Sequence, residues 1–144
     1  MNQQLLNEFF GVLKEKYDAV DLEDNTNEKD GVIITHGSFK INERKYSFNC
    51  YFSKESSFMG VEYSLKINTN NKPLIKLYKA ANSVNNQCPG MKCVIDSNTA
   101  KVVYLTFSTE IVSSKLDNYR QLVEMLDVLP TGGMFFLNGL KKGA

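Results

Sequence analysis

The stretch Met59–Ile67, MGVEYSLKI, followed by Pro73–Val84, PLIKLYKAANSV, decides how this chain folds. In the first part Met59, Val61, Tyr63, Leu65 and Ile67 alternate with Gly60, Glu62, Ser64 and Lys66. That period of two puts the large apolar side chains on one face of a β-strand. In the second part Leu74, Leu77, Tyr78, Ala81 and Val84 recur at helical spacing. Pro73 suits the first turn of a helix capped by Asn70 or Asn71, and Pro89-Gly90 stops it. A strand with one apolar face needs a cover, and the chain supplies a helix directly after it.

Working back toward the N-terminus, Lys45–Ser53 alternates cleanly, with Tyr46, Phe48, Cys50 and Phe52 on one face. Gly31–Ile41 carries Val32, Ile33 and Ile34 and breaks near His36-Gly37, where a bulge or twist is expected. Asn42-Glu43 and Lys54–Ser57 are turns between these strands. The run Asp21–Asp30, DLEDNTNEKD, is acidic and polar and reads as a solvated loop. It lacks the central Gly and closing Glu of a calcium-binding EF-hand loop. Before it, Leu6, Phe9, Phe10, Leu13 and Tyr17, widened by Leu5 and Val12, mark an amphipathic helix.

Working forward, Lys92–Asp96 and Ala100–Thr109 form a hairpin about Ser97–Thr99. Val102, Tyr104 and Thr106 oppose Val103, Leu105 and Phe107, so the longer strand is expected to be central or covered on both faces. Ser113 or Ser114 caps the last main helix, with Asp117 in its first turn and Leu116, Tyr119, Leu122, Val123 and Leu126 as its stripe. The predicted order is helix, three strands, helix, two strands, helix. This is an α+β fold, an antiparallel sheet with helices packed on it, in one domain over residues 1–144 that ends in an apolar tail at 130–144.

Composition narrows the function more by exclusion than by assignment. A chain of 144 residues can bury about two-thirds of its unfolded surface without disulfides or metal. A net charge of +1, split as −2 over residues 1–72 and +3 over 73–144, gives no concentrated basic surface for nucleic acid. The N-terminus has no signal-peptide pattern and no stretch has the ~18 apolar residues of a membrane span. Three cysteines, Cys50, Cys88 and Cys93, make no disulfide framework, and a reducing cytoplasm is the expected setting.

No catalytic residue, cofactor site or metal site emerges. The one histidine, His36, stands between a Thr and a Gly on a strand, without ligand spacing to any cysteine. Thr131-Gly132-Gly133 has no following Lys-Ser/Thr and is not a phosphate loop. What remains is the apolar run Met134, Phe135, Phe136 and Leu137 after a Gly-Gly hinge, expected either to plug a gap beside the last helix or to dock a partner. Phe9 and Phe10 are second candidates for partner contact. The alternative is a small-ligand sensor with a pocket between sheet and helices, lined by Tyr46, Tyr63 and Tyr104.

The element order, with Leu6–Tyr17 as first helix, Met59–Ile67 leading to Pro73–Val84, and Ala100–Thr109 leading to Leu116–Leu126, resembles the YbjN-like proteins over Met1 to Leu129. These are described as bacterial sensory-transduction regulators and share the fold of the type III secretion chaperones. The resemblance implies a non-enzymatic cytoplasmic protein, often homodimeric, that holds another polypeptide on apolar surfaces. It carries over no individual functional residue.

Overall fold

The computed structural model describes residues 2–113 and 119–142. They form α1 (Asn2–Tyr17), β1 (Val20–Lys29), β2 (Val32–Ile41), β3 (Arg44–Phe52), β4 (Ser57–Asn68), α2 (Leu74–Gln87), β5 (Lys92–Asn98), β6 (Val102–Ser113), α3 (Tyr119–Met125), a 3-10 turn (Leu129–Thr131) and α4 (Gly132–Lys142). The strands make one antiparallel sheet in the order β1-β2-β3-β4-β6-β5, so the architecture is the expected α+β one. Ser113 is the last residue of β6, and Ser114, Leu116 and Asp117, with the expected start of the helix, lie outside the described residues. No helix of the described residues is long and apolar enough to cross a membrane.

By compactness the chain divides into two units. The first comprises Met1–Val61 and Glu110–Leu126, the second Glu62–Thr109 and Asp127–Ala144.

The first unit is built on rings. Phe9 of α1 is fully buried and meets Phe39, Phe48 and Tyr119 edge-on, with centroids 6.2, 6.3 and 6.4 Å away. Tyr46 stacks on Phe39 at 5.4 Å and donates its buried hydroxyl to the Leu126 carbonyl at 3.1 Å. Tyr17 donates likewise to the Val123 carbonyl at 3.2 Å, so both hydroxyls hold the last turns of α3. The alternation in β3 follows the sequence, with Tyr46, Phe48, Cys50 and Phe52 inside.

Two features of this unit differ from the sequence reading. The acidic run is a strand, not a loop: β1 pairs antiparallel with β2 from Val20 to Lys29. Its side chains are almost all exposed because it is the edge strand, so its backbone ladder rather than burial holds it. Asp30 (φ 53°) and Gly31 (φ 76°) close the hairpin in the left-handed region, the geometry Asp-Gly favours. The irregularity expected at His36-Gly37 lies in the partner strand, where the register shifts between Val20 and Glu23. The Glu23 carbonyl approaches Gly37 so closely that a Cβ there would collide with it.

The second unit joins parts of β4 and β6 to β5, α2 and α4. In β6, Val103, Leu105 and Phe107 are buried while Tyr104 is exposed. The strand is central, as expected, but one of its faces is open. Asn85 of α2 clamps the edge strand β5, accepting from the Cys93 N–H at 2.6 Å and donating to the Cys93 carbonyl at 3.2 Å.

Candidate partner-binding surface

The segment after Leu129 is not an extended tail. The 3-10 turn leads into α4, and the Gly-Gly pair is a packing device rather than a hinge. A Cβ on Gly132 would enter the Phe107 ring, and one on Gly133 would reach Leu65 Cδ2 at 2.5 Å. A Cβ on Gly139 would stand 3.1 Å from Ala80 Cα, so small residues on both helices set the α2–α4 approach. Phe136 and Leu140 are consequently buried and Phe135 half-buried. Met134 and Leu137 point outward, Met134 at 59 % exposure.

The nominated residues therefore separate. Phe9 and Phe136 are core residues and offer no surface to a partner. Phe10 is half-buried against Phe48 at 5.3 Å. Only Met134 and Leu137 of the six are open to a partner.

α2 adds more apolar surface. Its buried face is Leu77, Ala80, Ala81 and Val84. Leu74 and Tyr78, read in sequence as part of that face, lie on an exposed flank with Ile75, which is 61 % exposed. The sequence through α2 is one-signed: Tyr63 to Ile95 contains five lysines and no acidic residue, and α4 adds Lys141 and Lys142.

Between the β4–α2 connection and α4 lies a niche of about 160 Å³, lined by Asn68, Thr69, Asn70, Lys72, Leu137, Leu140 and Lys141. The Thr69 backbone is satisfied: its N–H donates to the Lys101 carbonyl at 2.8 Å and its carbonyl accepts from the Lys72 N–H at 3.1 Å. Its hydroxyl has no partner, although the residue is only 2 % exposed. Nothing in the local pattern NTNNKP distinguishes this threonine from a turn residue.

A second apolar row lies in the first unit, on the sheet face opposite the rings. Ile34 pairs with Tyr51 across β2–β3, and the Tyr51 and Phe58 rings meet at 5.7 Å. Glu110 of β6 lies beside Gly60, and Val112, two residues further, is 70 % exposed.

The other candidate chemistry is not assembled. Tyr46 fills the first unit's core with its hydroxyl engaged, and Tyr104 sits on the open sheet face with the Lys66 ammonium 5.8 Å from its ring centre. Tyr104 lines an open cavity of about 440 Å³ with Ser64, Lys66, Asp96 and Ser97. All three cysteines are buried, and desolvation pushes the Cys50 and Cys93 thiols up to about 12 and raises that of Cys88. Such thiols stay protonated at neutral pH and make poor nucleophiles. His36 is exposed, between Asn25 and Asn49 on the neighbouring strands. Among the described residues no three His, Cys, Asp or Glu side chains group as metal ligands.

No family model matches the sequence, and no curated protein matches it. In structure the chain is similar to an uncharacterized protein from Methanothermobacter thermautotrophicus, with a TM-score of 0.58 over 99 % of this chain and 98 % of that one, at 10 % identity. It is also similar to YbjN, a proposed transcription regulator from E. coli, with a TM-score of 0.47 over 99 % and 94 % of the chains, at 9 % identity. At these identities the likeness concerns the fold alone.

Proposed function

We propose that this chain is a non-enzymatic cytoplasmic binding module, regulatory or chaperone-like, that holds another polypeptide on α2 and α4 and works as a homodimer. The observation that carries the reading is the exposure of large apolar side chains on both helices, Leu74, Ile75 and Tyr78 on α2 and Met134 and Leu137 on α4. A specific interface removes ~800 Å² from each partner, and aromatic and large apolar anchors dominate its energy. These five side chains can serve as such anchors because the fold does not use them.

For the homodimer, the row Ile34, Tyr51, Phe58 and Val112 is the matching surface in the first unit. An isologous contact would lay this row on its own copy. Sedimentation of the wild type against a Tyr51→Lys, Val112→Lys variant tests this: a dimer that becomes a folded monomer is expected. A monomeric wild type would remove the dimer from the proposal. For the partner surface, in-cell crosslinking of the wild type is compared with a Met134→Lys, Leu137→Lys variant. A defined polypeptide crosslinked to α2 or α4, and lost in the variant at unchanged melting temperature, is the expected result. An unchanged crosslinking pattern would overturn the assignment to α2 and α4.

A further inference from the structure

We propose that the free edge of β1 receives an extended basic polypeptide segment, which pairs antiparallel with residues 23–29 and adds a strand to the sheet. This goes beyond the reading given for α2 and α4 and stands or falls separately from it. The first observation is an open ladder. β1 is an outer strand, and its register with β2 is unbroken from Glu23 to Lys29. The left-handed two-residue turn at Asp30-Gly31 is of the kind closed by a hydrogen-bonded pair, here Lys29 and Val32. Bonded and non-bonded pairs alternate along an antiparallel ladder. Asp24, Thr26 and Glu28 therefore turn their N–H and carbonyl groups away from β2, toward an edge where the described residues place no further strand. Such groups template an added strand whatever its side chains.

The second observation, charge, selects the occupant. From Asp21 to Asp30 the chain carries five acidic residues and one basic one, Lys29. Asp21 is taken by Lys40 at 2.8 Å, whereas Asp24 and Glu28 have no ion-pair partner among the described residues. These two carboxylates flank Thr26 on one face of the strand and stand about 13 Å apart along it. Opposite charges directly across a strand pair stabilise it, and like charges oppose it. A segment with Lys or Arg at two positions four apart meets both carboxylates at once. The Thr26 hydroxyl is already bonded to that of Thr35 at 3.1 Å, so the residue midway in the segment need supply no polar partner.

The same charges disfavour a second copy at this edge. Two β1 strands paired about Thr26 would set Asp24 of each opposite Glu28 of the other. β1 also gains from a partner. Asp, Glu and Asn are poor strand formers, and its side chains are almost all exposed, so a ladder on one side alone holds it.

The test adds the synthetic peptide Val-Lys-Val-Thr-Val-Lys-Val to the full, isotope-labelled chain and follows amide exchange by nuclear magnetic resonance. Exchange at Asp24, Thr26 and Glu28 should slow at least about tenfold, while Asn25 and Asn27, already bonded to β2, change little. A peptide with Glu in place of both lysines should bind at least about tenfold more weakly, and the gap should close with salt. Methylating the backbone nitrogens of the Lys and Thr residues should abolish binding, and methylating those of the valines should not. Asp24→Lys with Glu28→Lys should reverse the preference in favour of the Glu peptide, with melting curves confirming that the variant is folded. Binding of the Lys peptide without slowed exchange at those three amides would assign the contact to charge alone and overturn strand addition. Equal binding of the Lys and Glu peptides would overturn the basic partner, and binding of neither would overturn the proposal whole. A dimer in sedimentation with the three amides protected before any peptide is added would assign the edge to a second copy and likewise overturn it.

Discussion

The two compact units solve the same problem, covering a sheet with helices, by opposite means. The first buries rings: Phe9, Phe39, Tyr46, Phe48 and Tyr119 interlock, and two tyrosine hydroxyls tie the helix ends. The second removes side chains: Gly132, Gly133, Gly139 and Ala80 let backbones approach. Their charges differ as sharply, nine basic and thirteen acidic residues in the first unit against eight and three in the second. A net charge near zero over the chain therefore conceals an acidic unit and a basic one. Ring packing leaves the first unit's helices few apolar side chains to expose. In the second unit, where glycines let backbones approach, larger side chains such as Ile75 and Met134 point outward.

The largest expected effects probe the two interiors. Phe9→Ala and Phe136→Ala should each cost about 3–5 kcal/mol, the usual loss for a buried ring. Urea denaturation followed by ring absorbance will show whether they shift one transition or two. Separate transitions would mean that the units unfold independently; one shared transition would mean that the difference in packing style has no thermodynamic boundary.

Next in size is Asn85→Ala, which strips both clamping bonds from Cys93. About 1–3 kcal/mol should be lost, and hydrogen exchange should quicken in β5. Unchanged exchange there would show that the clamp is not needed for order.

A smaller, pH-dependent effect divides between the units, since Cys50 lies in one and Cys93 in the other. Their folded-state values near 12 lie above the ~8.5 of an unfolded thiol. Below the unfolded value both states hold the proton, and the stabilisation from keeping the thiol neutral is fully present. As pH rises from about 9 toward 12 the unfolded chain loses protons that the folded one keeps, so stability should fall. Melting curves of the wild type and a Cys50→Ala, Cys93→Ala variant should converge over that interval; parallel curves would refute the assignment. The smallest expected effect is on Met134→Lys with Leu137→Lys, within about 0.5 kcal/mol for each exposed site. A larger loss in thermal melting would place these side chains in the fold rather than at its surface.

The sequence was most legible where burial imposes a period. β3 alternates as read, β4 does so only from Ser64 to Asn68 because Met59, Gly60 and Val61 are all buried, and Leu77, Ala81 and Val84 of α2 face inward. It was least legible at β1, where an edge strand with exposed side chains has no apolar period; the Asp30-Gly31 pair was the available signal. In α2 the stripe was drawn too wide. Leu74 and Tyr78 have helical spacing with Leu77 and Ala81, and only the placement of the sheet shows which side is inside. Four apolar residues in a row, Met134 to Leu137, span all sides of a helix, so two are inside or half inside and two outside. The Thr69 niche had no sequence signal, because a hydroxyl's lack of a partner is a property of the fold alone.

The Asn85 clamp has a consequence for the free edge of β5. By imitating a neighbouring strand at Cys93, it occupies the outward N–H and carbonyl of that residue, where β5 could otherwise pair with an extended chain regardless of sequence. A strand covered in this way is a poorer template for edge-to-edge pairing, and so for aggregation, than an open one.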